Sequence, residues 1–269
     1  MKIAFIGGGN MGEAILAALL EKKLCKPADI AVSDIVDSRR QYLQKKYGII
    51  VTTSNKEAVE GRDVIVLAVK PQNIKEVLAD FKGLLKPNQL ILSIAAGVKI
   101  GTISEGAGHR EVVRAMPNTP AQIGLGISGW TATKEVTAAQ KDWARHILGA
   151  MGKEIYFEDE EYLDKVTAVS GSGPAYFYLF AESLIEGAIE LGLKKKDAET
   201  LVLQTMLGAA HLMDKSDKTP AELRRNVTSK GGTTERAIEV FEQSNLAGIV
   251  AKAVKAACQR AKELGEAKP

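Results

Sequence analysis

The segment Val227-Thr228-Ser229-Lys230-Gly231-Gly232-Thr233-Thr234 sets glycines and hydroxyls between two stretches of helical periodicity, where a loop runs into a helix. The first N–H groups of a helix have no partner within it and carry a partial positive charge, so such a start attracts anions. Two backbone amides, with the hydroxyls of Ser229, Thr233 and Thr234 alongside, suit a carboxylate. The same residues also make a plain capped helix with a flexible turn before it. A second glycine-rich helix start, Gly7-Gly8-Gly9-Asn10-Met11-Gly12, stands near the other end of the chain. Two anion sites in one chain point to a cofactor and a substrate. A third segment, Ser170-Gly171-Ser172-Gly173-Pro174-Ala175-Tyr176, precedes a long helical pattern. Pro174 breaks or begins a helix there, and the serines either mark a structural kink or face the same cleft as Ser229 to Thr234.

The elements that position these residues differ between the two halves. Lys2–Ile6 reads as a strand running straight into Gly7–Gly12, and Glu13–Leu20 as the helix that follows. That is G-x-G-x-x-G with the flanks a dinucleotide needs. Gly7 permits the tight turn, Gly9 lets a pyrophosphate approach the backbone, and Gly12 lets the helix pack close to the strand. Further strands are predicted at Ile30–Ser33, Val64–Val69, Leu90–Ile94, Val112–Met116 and Lys153–Phe157. The β/α alternation favours a parallel sheet, and the unbroken apolar run from Val64 fits a strand buried on both faces. Ligand-binding loops leave such sheets at the carboxyl ends of the strands. Ala68-Val69-Lys70-Pro71-Gln72, Ala95-Ala96-Gly97 and Met116-Pro117-Asn118-Thr119-Pro120 occupy those positions, with small residues that admit a nicotinamide. Asp34, ending the second strand, is placed to bind a ribose 2′-hydroxyl and so to favour NADH. Arg39, Arg40 and Asn55 are the residues that would converge on a 2′-phosphate instead, although arginines on a helix surface are commonly just solvated.

From Glu160 onward no strand is indicated. Ala181, Leu184, Ile185, Ala188 and Ile189 form one apolar stripe, residues 201–213 another, and Leu246, Ile249, Val250, Ala253, Val254 and Ala257 a third. Thr219-Pro220-Ala221-Glu222 is a capping box with proline in the first turn. The division expected is a dinucleotide-binding domain over residues 1–159 and a helical domain over residues 160–269. Composition excludes several classes. Lys plus Arg (36) nearly balance Asp plus Glu (33), which makes no case for nucleic acid. No apolar run is long enough for a membrane span, and the N-terminus carries no signal-peptide pattern. Cys25 and Cys258 are far apart and read as unpaired, as in a reducing cytoplasm. His109, His146 and His211 do not cluster, so no metal site is expected.

Taken in order, Gly7–Gly12 with Glu13-Ala14, Ala68–Gln72, Met116–Pro120, Ser170–Tyr176 and Val227–Thr234 resemble the pyrroline-5-carboxylate reductase family over essentially the whole chain. The last two motifs are far more specific than the dinucleotide fingerprint. The resemblance implies an α/β fold, an N-terminal Rossmann-type parallel sheet with a C-terminal all-helical dimerisation domain, and a homodimer through that domain that can build larger assemblies, often five dimers. It implies a cytoplasmic enzyme of proline biosynthesis that reduces L-1-pyrroline-5-carboxylate to L-proline. The cofactor implied is NADP, with NADPH preferred in the family and NADH open here because of Asp34. The substrate carboxylate falls to Ser229, Gly232, Thr233 and Thr234, with Thr234 the implied catalytic partner of the ring nitrogen. The cofactor falls to Gly7, Gly9, Asn10, Met11, Gly12, Asp34, Asn55, Ala68, Val69, Lys70, Pro71, Ala95 and Asn226. An imine is basic and can bind already protonated, so a hydroxyl such as Thr234 suffices as hydrogen-bond partner or relay. Two rivals remain: a β-hydroxyacid dehydrogenase, with a lysine such as Lys165 or Lys194 to Lys196 as its acid, and a nucleotide-sensing module that binds cofactor without turnover.

Overall fold

Aliphatic and β-branched runs bounded by turns form eight strands: β1 (Ile3–Ile6), β2 (Ile30–Ser33), β3 (Ile50–Thr52), β4 (Val64–Leu67), β5 (Leu90–Ser93), β6 (Val112–Met116), β7 (Gly126–Ala132) and β8 (Gly152–Tyr156). They come from a computed structural model that describes residues 1–266. The strands make one sheet in the order β3-β2-β1-β4-β5-β6-β7-β8. The first six are parallel, β7 runs antiparallel to β6, and β8 runs parallel to β7. β1, β2, β4 and β5 are buried along their whole length. Side chains alternate between the two faces of a strand, and each face has its own core. Ile3 and Phe5 pack with Ile15, Leu16, Leu43 and Ile147, whereas Ala4 and Ile6 pack with Ala58, Ile74 and Ile103. The first set brings in α1 (Asn10–Glu21), α2 (Asp37–Tyr47) and α6 (Ala138–Gly149), and the second α3 (Asn55–Val59), α4 (Ile74–Asp80) and α5 (Ile100–Ala107).

Two strands lie outside the sequence reading. β3 has only three residues, none of them fully buried, and β7 carries Gly126 and Gly129 in place of an apolar alternation. The glycines of β7 are there because space is short: a Cβ on Gly129 would lie 2.7 Å from a methyl of Val166. Its neighbour Gly152 pairs with Gly126 in the β7–β8 ladder at φ +144°, where a Cβ would lie 2.0 Å from the Gly126 carbonyl oxygen.

The chain then becomes helical: α7 (Tyr162–Val166), a π turn over Thr167–Gly171, α8 (Gly173–Glu190), α9 (Lys195–Lys215), α10 (Pro220–Asn226), α11 (Thr233–Gln243) and α12 (Leu246–Glu266). The π turn is closed by the Ser172 N–H donating to the Thr167 carbonyl at 2.8 Å. Pro174 lies in the first turn of α8, and the Thr219–Glu222 capping box starts α10. Contacts divide the chain into two compact units, one of Met1–Ser172 together with the chain from Ala256 on, the other of Gly173–Lys255. The second unit buries very little by itself. Among its described residues only Gly173 and Ala198 are buried, while Phe177, Tyr178, Leu203 and Leu212 stand well exposed.

One polar cluster ties α1 to α2. Glu13 accepts hydrogen bonds from Lys46 (2.9 Å), Tyr47 (2.8 Å) and Tyr42 (3.1 Å) and forms an ion pair with Arg39. Partial burial pushes the Glu13 carboxyl up, but the donors Lys46, Tyr47, Arg39 and Tyr42 outweigh it and hold its pKa at about 2, against an ordinary 4.5. A carboxyl whose folded pKa is depressed adds stability that is present above its unfolded pKa and is lost as it protonates in the folded state. The Glu13 contribution is therefore expected to be complete above pH 4.5 and to fall away toward pH 2. Urea unfolding across that window should show a steeper loss of stability for the native chain than for Glu13→Gln. For Gly152→Ala the expectation is a loss of about 2–3 kcal/mol, the size of a strained, overpacked site. Gly149→Ala, at an uncrowded helical position, should be neutral or stabilise by up to about 1 kcal/mol.

Candidate functional site

The β1–α1 turn is built by crowding. Gly7 has φ +97°, and a Cβ on it would sit 2.7 Å from the Ala68 carbonyl oxygen. Gly12 comes so close to Gly7 that its Cβ would lie 2.7 Å from the Gly7 carbonyl oxygen. Gly9 is the opposite case: nothing lies within 4 Å of a Cβ placed there. The backbone at Gly9 is therefore open to a ligand on the side where α1 begins. No side chain caps α1. The amides of Asn10, Met11 and Gly12, in its first turn, have no acceptor within the helix. The turn lies at the carboxyl edge between β1 and β4, where the strand order reverses, the position at which open α/β sheets bind nucleotides.

Asp34 follows β2 at the same edge, and backbone amides fix both its oxygens. Oδ2 accepts from the Gly8 N–H at 2.8 Å and Oδ1 from the Val36 N–H at 2.9 Å. The carboxylate forms part of the wall of a cleft of about 490 Å³, together with Gly9, Asn10, Val36, Ser38, Arg39 and Tyr42. Arg39 and Arg40 are not solvated. The Arg39 Nε donates to the Gly8 carbonyl and its guanidinium pairs with Glu13. Arg40 donates to the Asp34 carbonyl at 2.6 Å and to Asp37 at 2.8 Å. The Asn55 amide, in the first turn of α3, donates to Asp80 at 2.8 Å.

The remaining loops of the carboxyl edge follow the strands in turn. β4 ends at Leu67 and β5 at Ser93, earlier than the sequence pattern suggests, so Ala68, Val69 and Lys70 belong to one loop and Ala95 to the next. Lys70 and Pro71 lead into a short 3-10 turn. Ala95 is buried, and its N–H faces the Ser93 hydroxyl at 3.3 Å. Gly97, at φ +73°, lets Leu264 of α12 pack against the loop, 3.0 Å from where a Cβ would be. After β6, the Asn118 side chain accepts from the Ile127 N–H (3.0 Å) and donates to the Ser170 hydroxyl (3.3 Å). Asn118 thus links the Met116–Pro120 loop to the π turn. Buried Arg114 adds a second link, pairing with Glu160 at 2.7 Å, and Glu160 also accepts from the first amide of α5. Neither role was visible in the sequence, because each depends on a partner more than forty residues away.

The helical unit repeats the glycine device at the start of α11. Gly231 has φ +73°, and a Cβ on Gly232 would lie 2.4 Å from the Ser229 Oγ and 3.0 Å from the Ser229 carbonyl oxygen. The Ser229 hydroxyl thus lies close to Gly232, the residue before the helix. No side chain caps α11, so the amides of Thr233 and Thr234 are left for an outside acceptor. Thr234 is half-buried, while Ser229 and Thr233 are exposed. Glu235 accepts from the Gly231 N–H at 2.7 Å, which stiffens the turn. Asn226 is the last residue of α10 and is exposed.

An uncapped glycine-rich helix start stands in each unit, and at the first of them an acidic group lies at the edge of a cleft. This arrangement suits binding of a nucleotide and of a small anion. Known proteins agree. Residues 160–264 match the family described as pyrroline-5-carboxylate reductase dimerisation, and residues 2–97 match that described as NADP oxidoreductase, coenzyme F420-dependent. The chain is 45% identical to the pyrroline-5-carboxylate reductase of Pseudomonas aeruginosa over 98% of its length and 97% of that protein. It is similar to the solved pyrroline-5-carboxylate reductase of Coxiella burnetii, with TM-score 0.92 and 40% identity, covering 98% of each chain. The Plasmodium falciparum pyrroline carboxylate reductase, solved with NADP bound, gives TM-score 0.89 at 32% identity, over 99% of this chain and 98% of that one. With helix starts of this kind in both units and likeness along nearly its whole length, the chain belongs to the pyrroline-5-carboxylate reductase family.

Proposed function

We propose that the chain reduces L-1-pyrroline-5-carboxylate to L-proline by hydride transfer from NAD(P)H, the last step of proline biosynthesis. The observation that carries the reading is the α11 start, where the Ser229 hydroxyl lies close to Gly232 and no side chain caps the helix. A carboxylate satisfies those amides and the partial charge they carry. In this reading Ser229, Gly232, Thr233 and Thr234 hold the substrate carboxylate. The Thr234 hydroxyl is the hydrogen-bond partner of the ring nitrogen and relays its proton.

The pyrophosphate of the cofactor lies over Gly7, Gly9, Asn10, Met11 and Gly12. The adenosine ribose meets Asp34, with Asn55 at the position of a 2′-phosphate contact, and Asn226 lies near the cofactor ribose. Ala68, Val69, Lys70, Pro71 and Ala95 line the way to the nicotinamide. The open backbone at Gly9 supports this path, as do the NADP bound to the Plasmodium relative and the description matched by residues 2–97. The nicotinamide supplies the hydride. The protein's part is to hold imine carbon and nicotinamide face to face, and such positioning is worth at most roughly 7–11 kcal/mol in well-oriented systems. No acid stronger than a hydroxyl is needed, since the imine is itself basic.

Residues 1–159 serve the cofactor and residues 160–269 the substrate and the pairing of chains. The exposed apolar side chains of α8 and α9 support a homodimer through that region, and the decamer of five dimers is the larger assembly we assign. No helix of the described residues is long and apolar enough to cross a membrane. We place the enzyme in the cytoplasm, in keeping with two free cysteines.

The direct test is oxidation of NADH and NADPH with pyrroline-5-carboxylate, set against a panel of 2-oxo and 3-hydroxy acids. Turnover with the cyclic imine alone is expected. Turnover only with the acids would favour a dehydrogenase, and cofactor binding without any turnover a sensing module. Ser229→Ala should raise KM for the imine about ten-fold or more, the worth of one hydrogen bond to a charged group. Thr234→Ala should lower kcat by a similar factor and leave cofactor affinity nearly unchanged. An unaltered kcat in Thr234→Ala would remove that hydroxyl from the mechanism.

A further inference from the structure

We propose that the pairing of two chains is not confined to the helical unit: the helices of a second copy also cover the outer face of β7 and β8. The inference rests on the homodimer read above and extends its interface onto the sheet. One face of these two strands, with Trp130 and Tyr156, packs with Ala144, Ile147 and Leu148 of α6. The opposite face carries Ile127, Gly129, Ile155 and Phe157, with Gly129 paired to Ile155 in the ladder. On this face Val166 of α7 lies against Gly129. Beside it, toward the edge strand, a cavity of about 290 Å³ stands open, lined by Ile127, Ile155, Phe157, Tyr162, Val166 and Val169. Ile155 is 47% exposed and Val169 62%. A sheet with helices on both faces is apolar on both, and its strands are covered on both. Here the second cover is incomplete.

Two observations identify the occupant. The part of the cavity wall from Tyr162 to Ser170 lies within residues 160–264, the segment that matches the dimerisation family. The open face of the sheet is thus continuous with the region that joins two chains. The helical unit has the complementary need. Phe177, Tyr178 and Leu179 of α8 and Leu203 of α9 are each more than half exposed, and apolar surface of that extent marks a contact. In a two-fold dimer the same patch is buried twice, so the helices of each copy cover the sheet face of the other. A small apolar ligand would fill the cavity but leave the rim residue Val169 and the α8 side chains in water. A second copy covers all three.

Two readouts on the full chain test this: maleimide labelling of an introduced cysteine, and the dimer Kd by sedimentation equilibrium. The reference position is Leu84, an exposed apolar residue between α4 and β5, and the native chain gives the background from Cys25 and Cys258. In the paired state Ile155→Cys should react about ten-fold or more slowly than Leu84→Cys, since labelling then waits on opening of the interface. Dilution to the monomer should abolish that protection. Ile155→Asp should raise the dimer Kd about a hundred-fold, because the dimer buries the unpaired charge twice, and Leu84→Asp should leave it unchanged. Ile155→Cys that reacts as fast in the dimer as in the monomer overturns the inference. So does protection that persists in the monomer, or a folded Ile155→Asp variant with an unchanged Kd. If Ile155→Asp fails to fold, the labelling decides. A native chain that stays monomeric sinks the homodimer reading and the inference with it, whereas a dimer with a reactive Ile155→Cys sinks the inference alone.

Discussion

The structure depends on one close approach, that of helix α1 to the strand before it. The Gly12 backbone presses against the Gly7 carbonyl, and Gly7 in turn presses against Ala68 in the loop after β4. Any side chain at Gly7 or Gly12 would push the helix away from the carboxyl edge of the sheet. With both present as glycine, the unpaired amides at the start of α1 meet the point where the strand order reverses. The apolar sheet beneath, buried on both faces, gives the rigidity that lets this geometry persist. The helical unit reaches the same end by the same means, with Gly232 pressed against Ser229. In each unit glycines stand at the start of a helix that no side chain caps.

Around the first of these starts the charges are arranged as carefully as the backbone. Glu13 gathers Arg39, Tyr42, Lys46 and Tyr47 from α2 and so fixes that helix against α1. The rings take part as well, since the Arg39 guanidinium and the Lys46 ammonium both lie about 5 Å from the Tyr42 ring. The same cluster thus positions one wall of the cleft, to which Arg39 and Tyr42 both contribute.

Much of this was legible in the sequence. β1, β2, β4 and β5 read as strands because burial on both faces leaves no polar interruptions. The fingerprint glycines and the Thr219 capping box are local devices, and their meaning does not depend on distant partners. β7 escaped because its glycines answer to neighbours: Gly126 to Ala121 and Gly129 to Val166. The roles of Asn118, Glu160 and Glu13 were hidden for the same reason. A signal for Glu13 did exist, since Arg39, Tyr42 and Lys46 recur at helical spacing on one face of α2 and call for a carboxylate opposite. The exposed apolar helices of the second unit read correctly as helices, but how much of their surface a single chain leaves uncovered appears only in three dimensions.

A crystal structure of the chain with oxidised dinucleotide and proline would show whether the two glycine-built helix starts hold a dinucleotide and an imino-acid carboxylate, as proposed. The pyrophosphate is expected on the amides of Asn10, Met11 and Gly12, and the proline carboxylate on the amides of Thr233 and Thr234, with the Ser229 hydroxyl beside it. A carboxylate bound elsewhere, with the start of α11 left without an anion, would contradict it.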